Sequence, residues 1–238
     1  MKILGIESSG LVASIAVMED DNLLGEYTMN HKKTHSQTLL PMLDELVKMI
    51  ELDLKTIDAI AVSKGPGSFT GLRIGSATAK GLGLALEKPI IPVETIDAMA
   101  YNLWGVEKLI CPIMDARNRQ VYTGLYTFKN GNLITHIPQC IVPITEIIEN
   151  INQTGKEVIF LGDGVVVLKQ EIAEHITVPY KFAPIQSNRQ RAASVAALGA
   201  VLYQQGVTET AAEHKPDYLR VSQAERELKE KERSFQIC

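Results

Sequence analysis

The sequence lacks the features that would place the chain in a membrane or in an oxidising compartment. Its longest apolar runs, such as residues 57–63, are far shorter than the roughly 20 residues that cross a bilayer. The first residues show no basic segment, long apolar core or cleavage site of a secretory signal. The three cysteines, Cys111, Cys140 and Cys238, lie far apart, without the spacing of a zinc ribbon or a disulfide framework. These absences predict a cytoplasmic protein.

The sequence also lacks an excess of basic residues. It contains 24 Lys and Arg against 28 Asp and Glu, which gives a net charge of −4. Because affinity for phosphate comes largely from clustered cations, we expect weak or no binding of nucleic acid by the chain alone. Arg117 and Arg119 form a charged cluster with Asp115. This cluster is interpreted as a polar turn or a partner contact, and it is the expected exception if an assembled complex contacts RNA.

A recognisable set of catalytic residues is absent as well. The GxSxG motif does not occur, and no cysteine has an evident histidine context. His31 and His35 have the spacing of a helical metal pair, but the sequence HKKTH lacks the glutamate of HExxH and no third ligand lies nearby. We interpret the two histidines as polar residues at the start of a helix, and we expect neither a catalytic residue nor a bound metal.

Glycine is concentrated in one short stretch, KGPGSFTGLRIG at residues 64–75. A strand pattern precedes this stretch and a helix pattern follows it, and the first turn of a helix favours an anion. Gly65, Gly67 and Gly71 give the spacing GxGxxxG, which fits neither a P-loop nor the dinucleotide fingerprint. A tight turn with a close helix contact is therefore the favoured interpretation, and phosphate binding stays open as the alternative.

Other residues that could contact a nucleotide lie at the ends of predicted strands. Glu7 and Ser8 follow the first strand, where a nucleotide-splitting fold places phosphate contacts, and Asp163 lies in the sequence LGDG. Ordinary turns explain the same residues, since Asp-Gly is a common turn pair. Together with Gly65 and Gly67, these residues are the candidates for a nucleotide site.

The periodicity of the first hundred residues predicts an α/β unit. Three short β patterns come first, and a helix follows at 36–50 with Ser36 as the candidate N-cap. A buried strand at 57–63, a helix of small residues at about 71–86 and a strand at 90–93 complete the unit.

A second α/β unit is predicted after a helical stretch that ends near Trp104. It begins with two strand patterns and a hairpin turn at Asn130-Gly131, and its alanine-rich helix ends at Gly206. The domains are assigned as an N-terminal lobe at 1–104, a C-terminal lobe at 105–220 and a charged tail, helical or frayed, at 221–238.

Five stretches of the sequence resemble the bacterial TsaB family, also called YeaZ. They are ILGIESS, THSQTLLPML, KGPGSFTGLRIGSATAKGLGLAL, MDARNRQVY and KPDYLR. The resemblance runs from residue 1 to about 220, and the GPGSFTGLRIG segment is highly specific. It implies a two-lobed actin-like ATPase fold of the α/β class, in which each lobe is a mixed sheet flanked by helices.

The resemblance also implies a function. Members of this family serve, without being the catalyst, the machinery that installs threonylcarbamoyl on N6 of the adenosine next to the anticodon in tRNAs reading ANN codons. Catalysis belongs to a TsaD-type paralogue, and an ATPase of TsaE type completes the assembly. No cofactor is implied for this chain, tRNA is expected only within the complex, and the nucleotide-site candidates become vestigial.

The resemblance implies that the chain has no metal centre. In the catalytic paralogue, the strand after the glycine-loop helix continues into a V-N-H-x-x-G-H motif whose histidines bind the metal. Residues 93–99 correspond to this motif here, with Thr95 and Met99 at the positions of the two histidines. Neither side chain replaces an imidazole as a ligand.

The first helix and the helix of small residues form the predicted partner surface. Apolar residues cover about half of the first helix, whereas a helix on one core needs a stripe somewhat over 100° wide. In the family, these two helices pair with their counterparts in the paralogue, and the same face homodimerises when the paralogue is missing. The predicted surface comprises Leu39, Leu40, Met42, Leu43, Leu46, Val47, Met49, Ile50, Leu72, Ile74, Gly75 and Ala79.

Small residues recur every four positions along the second of these helices, which permits close approach of another backbone. They form two series, Gly71, Gly75, Ala79 and Gly83 in one and Ala77, Gly81 and Ala85 in the other. The alternative that both helices are buried within this chain, under its C-terminal tail, stays open.

Two other functions stay open as alternatives. A small kinase or ATPase of the actin-like superfamily would use Glu7, the glycine loop and Asp163. A metallopeptidase of the glycoprotease type is disfavoured by Thr95 and Met99.

Overall fold

The computed structural model describes residues 1–31 and 34–219 of the chain. The charged tail predicted at 221–238 lies outside these residues. Two mixed sheets of five strands each are present in the described part, and helices flank both. The two-lobed α/β architecture predicted from the sequence is therefore confirmed. None of the described helices has the length and apolarity needed to cross a bilayer.

Five strands form the first sheet: β1 (Lys2–Glu7), β2 (Ala13–Glu19), β3 (Asn22–Met29), β4 (Ala59–Gly65) and β5 (Ile90–Glu94). Their order across the sheet is β3-β2-β1-β4-β5. β1 pairs antiparallel with β2 and parallel with β4, so the strand direction changes at the centre of the sheet.

Helices cover both faces of the first sheet. α1 (His35–Met49) and α2 (Phe69–Leu86) pack on one face, and α6 (Ala192–Gln204) packs on the other. Successive side chains of β1 therefore alternate between the two layers, with Leu4 in the cluster of α1 and Ile3 in the cluster of α6. This is why the central strands read as continuous apolar runs.

The second sheet consists of β6 (Leu109–Asp115), β7 (Gln120–Lys129), β8 (Asn132–Pro143), β9 (Val158–Leu161) and β10 (Tyr180–Phe182). Its order is β10-β9-β6-β7-β8, and the predicted turn at Asn130-Gly131 joins β7 to β8. Two helices, α4 (Ile144–Thr154) and α5 (Asp163–His175), bury their apolar faces in the core of this sheet. A short helix, α3 (Thr95–Ala100), and a 3₁₀ turn at Tyr101–Leu103 connect the two sheets.

The range 105–220, assigned to one lobe from the sequence, is divided between the two sheets. α6 lies within this range but packs on β1, β2, β4 and β5 of the first sheet. Glu209 also pairs with Ile90 at the edge of that sheet. Apolar periodicity marks which residues of α6 are buried, but it does not indicate which sheet buries them.

Two local predictions need correction. α1 begins at His35 after the N-cap Thr34, so Ser36 lies inside the helix. The LGDG sequence does not form an isolated turn after its strand, because α5 starts at Asp163 itself. The sequence reading also did not identify α4 or α5 as helices.

Polar contacts fix the amino terminus of α6. The Glu26 carboxylate of β3 accepts a hydrogen bond from the Ala193 N–H at 3.1 Å, and it also forms an ion pair with Arg191. The side-chain amide of Asn102 donates to the carbonyl of Ser187 at 3.1 Å, and the Asn102 carbonyl oxygen accepts from Ser194 Oγ at 2.6 Å. The connection between the sheets is thereby tied to α6.

The first half of α2 lies against the turn between β1 and β2. A Cβ atom added to Gly71 would lie 2.1 Å from the Ser8 carbonyl oxygen, and one added to Gly67 would lie 2.3 Å from the Ser9 carbonyl oxygen. A Cβ atom added to Gly75 would lie 2.2 Å from the Ser8 hydroxyl oxygen. Glycine is required here because any side chain would displace the helix from the sheet.

We predict that Gly71→Ala lowers the free energy of unfolding by about 1–3 kcal/mol, since the added methyl group meets backbone that cannot move freely. The matched control is Gly81→Ala in the same helix, where a Cβ meets no atom within 4 Å. This control should raise stability by up to about 1 kcal/mol, because alanine is the better helix former. Urea denaturation of both variants measures the difference, and equal effects would contradict the assigned contact.

Candidate functional site

The end of β1 carries a buried carboxylate whose oxygens are both bonded inside the chain. Glu7 is 1% exposed, and its Oε1 accepts hydrogen bonds from the backbone N–H and the hydroxyl of Ser9, both at 2.6 Å. Its Oε2 accepts a hydrogen bond from the Ser63 hydroxyl. Burial raises the pKa of Glu7, and the serine donors oppose that shift. The carboxylate therefore serves as an internal acceptor that links β1 to β4.

Ser8, the second candidate at this strand end, is also used internally. Its hydroxyl donates to the carbonyl oxygen of Gly71 at 2.9 Å, and the N–H of Ser68 donates to the Ser9 carbonyl at 2.6 Å. The glycine loop and the turn after β1 thus bond to each other directly. This arrangement matches the favoured interpretation of the glycines as a tight turn with a close helix contact.

A segment at residues 208–219, here called the C-terminal strap, covers the other side of the glycine loop. Glu209 and Ile90 exchange backbone hydrogen bonds of 2.8 and 2.9 Å, and the Asp217 N–H donates to the Lys64 carbonyl at 2.7 Å. At Gly65, where φ is 133°, a Cβ atom would lie 2.2 Å from the Asp217 carbonyl oxygen. The loop is therefore packed between two parts of the same chain.

Aromatic contacts hold the end of the strap against the start of α2. The ring centroids of Tyr218 and Phe69 are 4.4 Å apart, and the Arg73 guanidinium lies 4.0 Å from the Phe69 ring centroid. Arg73 also donates to the Tyr218 hydroxyl at 3.2 Å. KPDYLR belongs to the TsaB resemblance, but the local sequence does not indicate this contact.

Asp163 lies on the second sheet, at the first residue of α5. Its Oδ1 is buried and has no hydrogen-bond partner among the described residues. Burial raises the pKa of this carboxyl group, while the backbone N–H groups at the start of the helix and the charge of Arg189 act in the opposite direction. The structure therefore places the five nucleotide-site candidates in two groups, with four at the first sheet and Asp163 at the second.

The two histidines do not form a metal site in the described residues. Nε2 of His35 lies 2.8 Å from the Gly10 carbonyl oxygen, and His31 is exposed. Across residues 1–31 and 34–219, no cluster of three or more His, Cys, Asp or Glu side chains is placed to hold a metal ion.

The structure buries most of the predicted partner surface within the chain. The buried members are Leu39, Met42, Leu43, Leu46, Leu72, Gly75 and Ala79. Val47, Ile50 and Ile74 are half-buried against the core of the first sheet. Only Leu40, with 54% of its surface exposed, and Met49, with 74%, are clearly available to another molecule. α1 needs its wide apolar face because it covers β2 and β3 as well as contacting α2.

The exposed side of α2 carries the second series of small residues. Ala77, Gly81 and Ala85 are exposed, and Leu84 beside them is 77% exposed. The series with Gly71, Gly75 and Ala79 faces the sheet instead. The exposed helix surface, here called the α1–α2 face, is therefore Leu40, Met49, Ala77, Gly81, Leu84 and Ala85.

Arg117 and Arg119 lie on the turn between β6 and β7. Residues 117, 118 and 119 have φ values of 64°, 54° and 58°, a left-handed conformation that is uncommon for residues other than glycine. The Asp115 side chain accepts a hydrogen bond from the Arg117 N–H at 2.7 Å, and both arginines are exposed. The predicted polar turn is present, and its contact with a partner or RNA stays a prediction.

Comparison with known proteins identifies the family. The model of a family described as "TsaD: tRNA N6-adenosine threonylcarbamoyltransferase" matches residues 22–228. A protein of Bacillus subtilis (strain 168), "tRNA threonylcarbamoyladenosine biosynthesis protein TsaB", is 35% identical over 94% of this chain and 96% of its own length. The chain belongs to the TsaB family.

Other similarities agree with this assignment. A TsaB protein of Buchnera aphidicola subsp. Schizaphis graminum is 33% identical over 71% of this chain and 81% of its own. The solved structure titled "YeaZ from Pseudomonas aeruginosa" superposes with a TM-score of 0.79 at 24% identity and covers 92% of this chain and 99% of its own. An inorganic polyphosphate/ATP-glucomannokinase from an Arthrobacter strain reaches a TM-score of 0.50 at 10% identity, over 84% of this chain and 98% of its own. The two-lobed actin-like ATPase fold expected from the TsaB resemblance is thereby confirmed.

The positions that the TsaB resemblance aligned with metal ligands lie in the interior. Thr95 is fully buried and Met99 is 1% exposed, and Met99 packs in a core with Ile96, Ile110 and Met114. An alcohol and a thioether in an apolar environment offer little to a hard or borderline divalent ion. In this TsaB-family chain Met99 packs in the core, and the buried Thr95 hydroxyl has no hydrogen-bond partner among the described residues.

The strap contains a buried histidine that contacts Glu209. His214 is 1% exposed, its Nδ1 lies 2.9 Å from Glu209 Oε2, and its Nε2 is buried without a partner among the described residues. Burial lowers the pKa of His214, with further lowering from Lys80 and Lys64 and an opposing contribution from Glu209.

Because the folded state disfavours the protonated imidazole, the unfolded state binds more protons once the pH falls below about 6.5. We predict that the wild type then loses up to about 1.4 kcal/mol of stability per pH unit relative to His214→Gln, until the lowered folded pKa is passed. Urea denaturation between neutral and mildly acidic pH measures this difference. The control variant His136→Gln, at an exposed site, should show the same pH dependence of stability as the wild type. Stability curves of His214→Gln and the wild type that run parallel with pH would contradict the effect assigned to His214.

Proposed function

We propose that the chain is a non-catalytic partner subunit of the machinery for threonylcarbamoyladenosine in tRNA. In this proposal it binds a TsaD-type catalytic paralogue through the α1–α2 face and supports modification of the adenosine next to the anticodon in tRNAs reading ANN codons. A TsaE-type ATPase completes the assembly, and the same face forms a homodimer when the paralogue is missing. The single observation that carries the proposal is the exposed apolar and small-residue face of α1 and α2.

That face has the properties of a helix-packing surface. Leu84 exposes a large apolar side chain beside the exposed small residues of α2, an arrangement typical of an interaction surface, and Leu40 and Met49 are exposed on α1. Gly81 has open space where a Cβ would lie, so a backbone from another chain can approach α2 closely. α1 and α2 contact each other, so a partner can engage both helices at once.

The absence of catalysis is supported by how the fold uses its nucleotide-site candidates. Both side-chain oxygens of Glu7 accept hydrogen bonds from Ser9 and Ser63, and the glycine loop is packed between Ser8 and the strap. These candidates are therefore engaged in contacts within the chain. The kinase or ATPase alternative keeps one specific observation in its favour, the unpartnered Oδ1 of Asp163 in a kinase-like fold.

We predict that Leu84→Glu weakens binding to the TsaD-type paralogue at least tenfold, because it places a charge in an apolar helix contact. The fold should tolerate the change, since the residue is 77% exposed and surface substitutions shift stability by about 0.5 kcal/mol or less. Titration calorimetry measures affinity, and circular dichroism verifies the fold. Val166→Glu is the matched control, because Val166 is a 67% exposed helical residue on the second sheet. Unchanged affinity in Leu84→Glu would place the surface elsewhere.

We further predict that the isolated chain neither hydrolyses ATP nor modifies tRNA, whereas adding it to the paralogue and the ATPase restores modification. An assay for modified adenosine, with the chain present or omitted, measures the second effect. Glu7→Ala and Asp163→Ala test whether any ATP hydrolysis by the isolated chain comes from the chain's own candidate site. ATP turnover by the homogeneous chain that either variant abolishes would establish the ATPase alternative instead.

A further inference from the structure

A second candidate docking surface lies on the opposite side of the first sheet from the α1–α2 face. It is a groove of about 940 Å³ between α6, the turn that joins β2 to β3, and the hairpin turn that joins β7 to β8. We call it the α6 groove. Its floor includes Ala193, Ala197 and Val201, and its walls include Leu23 and Trp104. Because α6 packs on the face that α1 and α2 do not cover, the two surfaces can be occupied independently.

The floor of the groove is shaped for a helix. Ala193, Ala197 and Val201 follow one another at intervals of four residues, so they lie on one side of α6. Ala193 and Ala197 are half-buried, and Val201 is 38% exposed. Short side chains in a row let the backbone of a second helix approach α6 closely, as in close-packed helix pairs.

The walls of the groove expose large apolar groups. Trp104 is 64% exposed and lies beside Gly131, where a Cβ would be 3.4 Å from its ring, and Leu23 on the facing turn is 44% exposed. Exposed aromatic and aliphatic groups on both sides of a concave surface favour an apolar occupant. A tryptophan in this position is also the kind of residue that dominates binding energy at interfaces.

The charge of the groove is mainly negative. Asp20, Asp21 and Asp97 line it together with the amino group of Met1, and no Lys or Arg lines it among the described residues. Asp20 Oδ1 pairs with the amino group of Met1 at 2.5 Å, and Asp97 accepts a hydrogen bond from the Tyr126 hydroxyl at 2.7 Å. Asp21 is exposed on the turn. Carboxylates at the edge of an apolar groove select an occupant with positive charge and disfavour an acidic one.

We propose that the α6 groove binds a short amphipathic helix of a partner protein, with its apolar side on α6 and Trp104 and with Lys or Arg opposite Asp21. This mode of recognition lays the apolar positions i, i+3, i+4 and i+7 of a helix into a groove. The proposal does not depend on the proposed function, since it uses neither the α1–α2 face nor the paralogue.

The test uses two synthetic amphipathic helices with leucines on one side, one with lysines and one with glutamates on its flanks. Trp104 is the only tryptophan in the chain, so its fluorescence reports occupancy directly. The lysine peptide should bind the full chain saturably with a blue shift of the emission, and the glutamate peptide should bind at least tenfold more weakly. Added salt should weaken the lysine peptide, because part of its affinity is electrostatic.

Two variants locate the binding. Ala197→Arg fills the floor, and Asp21→Lys reverses the charge of the wall, and each should weaken the lysine peptide at least tenfold. Ala173→Arg on α5 and Glu45→Lys on α1 are the matched controls, since both residues are exposed and lie outside the groove, and both variants should bind like the wild type. Thermal denaturation verifies that all four variants fold, and Asp21→Lys on the exposed turn serves as the decisive variant if Ala197→Arg does not.

Other outcomes overturn the proposal. Equal binding of the two peptides, binding of neither, or unchanged affinity in both groove variants would show that the groove does not select a cationic helix. A change in sedimentation of the peptide-free protein on Ala197→Arg would identify a second copy of the chain as the occupant. A red shift of Trp104 emission in that variant without peptide would show that the chain fills its own groove.

Discussion

The close contact between α2 and the turn after β1 is the constraint on which the rest of the structure depends. Gly67, Gly71 and Gly75 lie so near to Ser8 and Ser9 that a side chain on any of them would overlap backbone or hydroxyl oxygen. This contact fixes the position and rotation of α2 on the sheet. The rotation in turn decides which series of small residues faces inwards and which, Ala77, Gly81 and Ala85, stays exposed. The exposed surface of α2 is therefore a consequence of packing at the opposite side of the same helix.

The same contact occupies the space beside the glycine loop. A strand, a glycine loop and a helix still follow one another in the order that favours an anion at the start of the helix. Here the space beside the loop is occupied by Ser8 and Ser9 on one side and by the C-terminal strap on the other. Both side-chain oxygens of the buried Glu7 accept hydrogen bonds from Ser9 and Ser63, so its polar atoms are paired inside the chain.

Long-range contacts join the two sheets into the arrangement that creates the α6 groove. α6 and the strap follow the second sheet in the chain but pack on the first, where Glu26 bonds to the start of α6 and Ile90 pairs with Glu209 of the strap. Asn102 bonds to Ser187 and Ser194, which connects the linker between the sheets to this returning segment. The α6 groove exists because the hairpin of the second sheet and the turn of the first meet across the returning helix.

The sequence by itself determined the α/β class, most of the elements of the first sheet and the TsaB family. These features depend on local periodicity, on turn residues such as Asn130-Gly131 and on a specific motif, all of which are readable within a short window. Only the tertiary structure decided that Leu39, Met42 and Leu43 are core residues, that α6 covers the first sheet and that Glu7 bonds to Ser63. An apolar stripe indicates that one side of a helix is buried. The stripe looks the same whether the helix is covered by its own chain or by a partner chain. The physical reason is that burial depends on which distant segments approach, and the free energy of that approach is a property of the whole fold.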